Sequence, residues 1–386
     1  MKEPNAGLKS VPAEIKAHRF IELDSLRGIA AAAVVFSHFA GLWASATWHV
    51  WMERSPLRVL FAGHEAVVLF FLLSGFVLSI PLSEERAPGY GVFLMKRFCR
   101  LYLPYLAAIL AAAICDFFLF STTPTGNAWI DQTWNMRPTP GLVAGHLVTV
   151  TWHPAQLNTA IWSLIIEIHV SMLFPALLWV VRRAPPALLL GICMAVSGVF
   201  PLLPHGNAIA GLTISPTYLA MFIIGILLWL YLAEISHFLV RIGRRWRGVV
   251  LLLSLLCIVA PHGLEAWRGT PVSRSISELE DYAIGAGAAG LIACAIQAGK
   301  LRSILRGPLL VRLGALSYST YLMHPTVLFV LIRLFYGRFP FYYLLPIYLA
   351  GVYLVSELFH KFVDQPSVML GRRVGKRHKQ GERTLA

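Results

Sequence analysis

Long apolar runs, about every second one closed by a short cluster of Arg and Lys, alternate along this chain with polar turns rich in Pro and Gly. A helix needs about 20 mostly apolar residues to cross the hydrocarbon core of a bilayer. The runs predict spans at about 26–44, 61–81, 101–120, 160–181, 187–204, 215–232, 248–262, 281–298, 314–335 and 343–362. The apolar stretch 141–152 is too short to cross and reads as a re-entrant or interfacial helix. Basic residues gather at Lys96, Arg97 and Arg100, at Arg182 and Arg183, at Arg241–Arg247, at Lys300 and Arg302, and in the tail. That places these segments and both termini in the cytoplasm, by the positive-inside bias. The expected fold is an all-α, polytopic transmembrane bundle of about ten spans. Residues 1–20 would be a cytoplasmic segment, 21–366 the membrane domain and 367–386 a basic cytoplasmic tail.

Composition agrees with a membrane class. Of 386 residues, 57% are hydrophobic and 13% charged, where soluble chains carry about a quarter charged residues. The net charge of +14 follows from the basic loops, so it does not indicate nucleic acid. Such loops suit anionic membrane lipid or an anionic cofactor. Five scattered cysteines have no metal-ligand spacing and no even pairing, so neither a metal site nor a disulfide framework is expected. Residues 1–20 are polar and show no signal-peptide pattern, which leaves the first span as an uncleaved anchor.

The first span carries the chemistry that matters most. Arg27 and His38 are eleven residues apart, about three turns plus 20°, so they share a helix face about 16 Å apart along the axis. Asp24 falls near that face. An ionisable group at the depth of His38 faces a bundle interior or a watery cavity. It either works as a base or bonds to a neighbouring helix. Arg97 and Arg100 share a face beside Lys96, where planar guanidinium groups suit phosphate. The alternative is a plain topology signal. Ser74-Gly75 is a small-residue step for a ligand or for tight helix packing. Trp162 could stack on sugar or simply mark the interface. Glu167, a carboxylate within a span, needs a partner. His324 reads chiefly as a packing and hydrogen-bonding residue.

Six stretches together resemble the acyltransferase-3 family, which includes bacterial O-antigen and exopolysaccharide O-acetyltransferases. They are Leu23-Asp24-Ser25-Leu26-Arg27-Gly28 running to His38, Phe70-Phe71-Leu72-Leu73-Ser74-Gly75-Phe76, and Lys96-Arg97-Phe98-Cys99-Arg100 before Pro104. Trp162-Ser163-Leu164-Ile165-Ile166-Glu167 with Pro175 is the fourth. Leu313 to Pro325 and Asp364-Gln365-Pro366 match more weakly. The likeness covers roughly residues 20–370. Val68 departs from it, standing where many members carry an acid; Glu65 is the nearest substitute. No fused esterase-like domain is expected.

The resemblance implies a membrane O-acyltransferase that moves an acyl group, chiefly acetyl, from cytoplasmic acyl-CoA to a hydroxyl. The acceptor would be a carbohydrate or lipid-linked glycan of the cell envelope, and the site would be the bacterial inner membrane. No tightly bound cofactor is implied; acyl-CoA is a co-substrate. His38 is the expected base, because a neutral imidazole can accept a proton at working pH. It could act on the acceptor directly or carry the acyl group transiently. Glu167, or failing it Glu65, is expected to support the His38 ring. Arg27, Lys96, Arg97 and Arg100 are expected at the coenzyme, and Trp162, Glu65, Ser74 and Gly75 at the acceptor. The competing class is a secondary transporter of a sugar-containing or acylated substrate. It should show paired halves with broken helices, and no matching halves are visible.

Overall fold

The structure, a computed structural model, describes residues 20–43, 46–53, 55–84, 87–123, 125, 127–149, 156–199, 216–259, 271–335 and 337–374. The expected cytoplasmic segment and most of the basic tail lie outside these residues. Every element among the described residues is helical. Ten helices fall where spans are expected. They are α1 (Ile21–Gly41), α2 (Gly63–Leu82), α3 (Tyr90–Leu119), α4 (Ile161–Arg183), α5 (Pro186–Val199), α6 (Pro216–Leu230), α7 (Gly243–Val259), α8 (Pro271–Ile296), α9 (Pro308–Phe335) and α10 (Phe341–Phe359). Among the described residues, seven stretches are long and apolar enough to cross a membrane: α1, α2, α3, α4, Ile276–Ile296 of α8, α9 and Tyr342–Val374. The protein is an integral membrane helical bundle. An eighth crossing is available from α6 together with Leu232–Arg241, which meet at a 69° bend.

Helices run further than the apolar runs that announce them. α3 begins at Tyr90 instead of about 101, α8 at Pro271 instead of about 281. The last helix continues to 374, so residues 367–374 of the expected tail are helical. The reason is simple. Hydropathy marks only the part of a helix inside hydrocarbon, while the backbone pattern continues past it. Pro140–Leu147, in the stretch expected not to cross, is an eight-residue helix, about 12 Å long.

Two contacts fix the centre of the bundle. At Gly28 an added methyl would stand 2.5 Å from the backbone of Leu313 and Gly314, and at Gly314 a methyl would stand 2.5 Å from the carbonyl oxygen of Asp24. Only glycine permits α1 and α9 to approach this closely. Gly75 and Gly225 do the same for α2 and α6, where added methyls would lie 2.2 Å from the Phe222 carbonyl oxygen and 2.1 Å from that of Leu72. The N-terminal end of α1 is tied down by Glu22. It is fully buried and receives Arg302 and Arg306, the latter at 2.8 Å.

Candidate functional site

α3 is not a regular helix where its arginines lie. Phe98–Tyr102 forms a π turn. Pro104 has no N–H for the carbonyl of Arg100, so the helix widens there. Tyr318 of α9 donates its hydroxyl to the Leu101 carbonyl in the same turn, at 2.7 Å. The result is that Arg97 and Arg100 both face one space.

That space has two parts. The wider, of about 520 Å³, is lined by Phe20, Asp24, Arg27, Lys96, Arg97, Arg100 and Arg372 among others. Five of these side chains are cationic and one is acidic. The narrower, of about 210 Å³, lies between Arg27, Arg97 and Arg100 on one side and Phe70, Ser74, Ser163, Tyr318 and Tyr321 on the other. Arg27, Val77, Leu78, Arg97 and Arg100 belong to the walls of both, so the two adjoin. Glu167 accepts from Arg97 at 3.0 Å and from Ser74 at 2.9 Å, and Arg97 also donates to Ser171 at 3.3 Å. Arg27 and Arg100 make no hydrogen bond or ion pair with any described residue, although both are partly buried.

Beyond the narrow cavity stands Tyr321, its hydroxyl paired with Ser163 at 2.7 Å and its ring 5.4 Å from that of Phe70. On the other side its ring is 5.8 Å from His324. His324 is fully buried, and its Nε2 lies 2.9 Å from Nδ1 of His38. Trp129, on the short helix Ala128–Asp131, covers His38 with ring centroids 5.6 Å apart. Asn127 reaches the Leu42 carbonyl at 3.3 Å, which docks this segment on the C-terminal end of α1.

The carboxylates expected at His38 are elsewhere. Glu167 is held by Arg97 and Ser74, and Glu65 by Arg58 at 2.5 Å. Gly63 packs on Ser37, where a methyl would come within 2.7 Å of the serine Cβ. His38 is therefore level with the start of α2. Ser74, which holds Glu167, is eleven residues further along α2, or about 16 Å deeper. A Glu167 beside His38 would require α4 to start at the membrane surface. Instead Leu157, Asn158 and Ala160 are already buried, and Asn158 donates to the carbonyl of Leu322 at 2.9 Å. α4 thus begins near the level of the histidines, and Glu167 lies further in.

Trp162 packs between Phe71 and Tyr218, with centroids 6.4 and 5.5 Å away. Gly75 is filled by the backbone of α6, so its contact is with a helix. Ser74 does line the narrow cavity. No group of three or more metal-ligating side chains gathers among the described residues.

Residues 20–360 match the family model Acyl_transf_3, described as an acyltransferase domain. The chain belongs to the acyltransferase-3 family. Acyltransferase MdmB of Streptomyces mycarofaciens is 30% identical, over 92% of this chain and 93% of its own. Nodulation protein 10 of Rhizobium leguminosarum bv. viciae is 25% identical, over 90% of this chain and 93% of its own. O-acetyltransferase PaAT-1 of Phomopsis amygdali is 29% identical, over 36% of this chain and 29% of its own. No solved structure matches the chain.

For an acyltransferase-3 protein the layout makes chemical sense. A cationic mouth leads to a narrow, mixed cavity, and an imidazole pair stands behind it. Two residues at the histidine end are not indicated by the sequence, His324 as a partner of His38 and Trp129 as its cover. A signal for the first was nonetheless available. Gly28 precedes His38 by ten residues, and Gly314 precedes His324 by ten. Two helices that cross glycine to glycine and run parallel must also bring their histidines together about 15 Å further on. Nothing in the sequence around Trp129 distinguishes it from other loop tryptophans.

Proposed function

We propose that this acyltransferase is an O-acyltransferase that uses cytoplasmic acyl-CoA and delivers the acyl group, chiefly acetyl, to a carbohydrate or lipid-linked glycan hydroxyl at the bacterial inner membrane. The observation that supports the donor is the pair Arg27 and Arg100. Two guanidinium groups with no hydrogen-bond or ion-pair partner among the described residues face a cavity that also holds Lys96, Arg97 and Arg372. Unpaired buried cations are costly, and a polyanion such as the coenzyme head neutralises them. Arginine is also suited to grip phosphate oxygens in pairs. The thioester arm extends into the narrow cavity towards Tyr321. His38 takes the proton of the acceptor hydroxyl as its oxygen attacks the thioester carbon. The C–S bond then breaks, and the proton passes from His38 to the departing thiolate, giving an ester and free coenzyme A. Trp129, beside His38 at the outer end, is the aromatic platform best placed for the sugar ring, in place of Trp162. The name of the Phomopsis amygdali relative, an O-acetyltransferase, agrees with ester chemistry and acetyl.

The test is deletion of the gene followed by mass spectrometry of O-acyl groups on envelope glycans. Loss of one acetyl-sized substituent, restored by the intact gene, is the expected result. An unchanged glycan acylation pattern overturns the acceptor class.

A further inference from the structure

His38 and His324 form a directed pair, and the direction can be read from the far end. His324 Nδ1 lies 3.1 Å from the carbonyl oxygen of Thr320, one turn back on α9. A carbonyl only accepts, so His324 Nδ1 carries the hydrogen. In a neutral imidazole the other nitrogen is then bare. His324 Nε2 must therefore accept, and the donor 2.9 Å away is His38 Nδ1. With its hydrogen on Nδ1, neutral His38 has a bare Nε2. The backbone of α9 thus fixes which nitrogen of His38 is the base. The surroundings hold this arrangement rigid. His324 is fully buried, the rings are tilted by 36° with centroids 4.9 Å apart, and Pro325 follows directly. Proline gives no N–H to the Tyr321 carbonyl, so the turn around His324 is held open at this point.

We propose that His324 is a positioning residue that locks His38 in the Nδ1–H form and presents Nε2 to the acceptor hydroxyl. The proposal rests on His38 as the base. In the transfer step the acceptor O–H proton moves to His38 Nε2 as the C–O bond forms. His38 becomes an imidazolium whose Nδ1–H still donates to neutral His324, and no proton has to cross to His324. The proton on Nε2 then leaves with the thiolate sulfur. A carboxylate behind a catalytic histidine does the same tautomer-fixing work elsewhere, and the wrong tautomer there costs about 10⁴ in rate. Here a neutral imidazole backed by a carbonyl takes that place, since Glu167 lies deeper in the bundle, bound to Arg97 and Ser74.

The test compares purified wild-type protein with His38→Ala, His324→Leu and His324→Gln, measuring coenzyme A release and ester formation at varied acyl-CoA. Glutamine can put an acceptor oxygen where His324 Nε2 stands; leucine cannot. His324→Leu is expected to lower kcat by about 10²–10⁴-fold with KM for acyl-CoA within about threefold. His324→Gln should recover at least about tenfold over the leucine variant. Equal rates for the two variants, or wild-type kcat in the leucine variant, overturn the proposal. An active His38→Ala protein instead overturns the base assignment on which it rests. Should His324→Leu fail to fold, nitrogen-15 solid-state NMR of the wild-type histidines decides. The account requires a protonated Nδ1 and a bare Nε2 on His38, and a hydrogen on Nε2 contradicts it.

Discussion

Arg97 and Arg100 sit three residues apart, yet their surroundings assign them different work. Arg97 is tied to Glu167 and Ser171, whereas Arg100 has no described partner. Arg100→Ala should therefore weaken coenzyme A binding by about tenfold or more, the scale of one charged hydrogen bond, and leave thermal stability unchanged. Arg97→Ala should weaken binding and also destabilise the protein by about 3 kcal/mol, because it strands a half-buried carboxylate. Isothermal titration and thermal unfolding in detergent separate the two. Identical stability losses would show that Glu167 does not depend on Arg97. The sequence made the cations and His38 legible as types, since charge inside or beside an apolar run stands out. It did not reveal which carboxylate meets which cation. Counting from the apparent start of the α4 apolar run puts Glu167 level with His38, but that start lies inside the bundle, and depth counted along one helix carries no information about where that helix begins.

At the scale of elements, the glycine crossing of α1 on α9 is the device that sets the histidines face to face. Each methyl added there meets backbone, which cannot swing aside as a side chain would. Gly28→Leu should push the helices apart, cost about 1–3 kcal/mol or more, and abolish transfer while the membrane-inserted protein is still made. Gly41→Leu is the control, since an added methyl there meets nothing within 4 Å. Equal activity in the two variants would remove the crossing from the account. The spans were legible from hydropathy because a bilayer imposes both length and apolarity. Pairing was not, since every face of a membrane helix can be apolar. The repeated ten-residue step from glycine to histidine was the one local clue to it. The π turn at Phe98–Tyr102 was half-legible through Pro104, which had to disturb the helix, although not in a manner that spacing rules specify.

Across the whole molecule the site is a sequence of compartments along α1. Arg27 stands in the cationic mouth, and His38 stands eleven residues further along α1 beneath Trp129. Tyr321 separates the narrow cavity from the histidines, touching Ser163 on one side and His324 on the other. This order suits a reaction in which donor and acceptor arrive from opposite faces and meet at one imidazole. The most direct measurement uses inside-out membrane vesicles supplied with radiolabelled acetyl-CoA on the exposed cytoplasmic face, following label into ester-linked product. Wild-type vesicles should transfer label, and His38→Ala vesicles should transfer none while the purified variant still binds coenzyme A with unchanged affinity. Transfer at the wild-type rate by the His38→Ala protein would contradict the account.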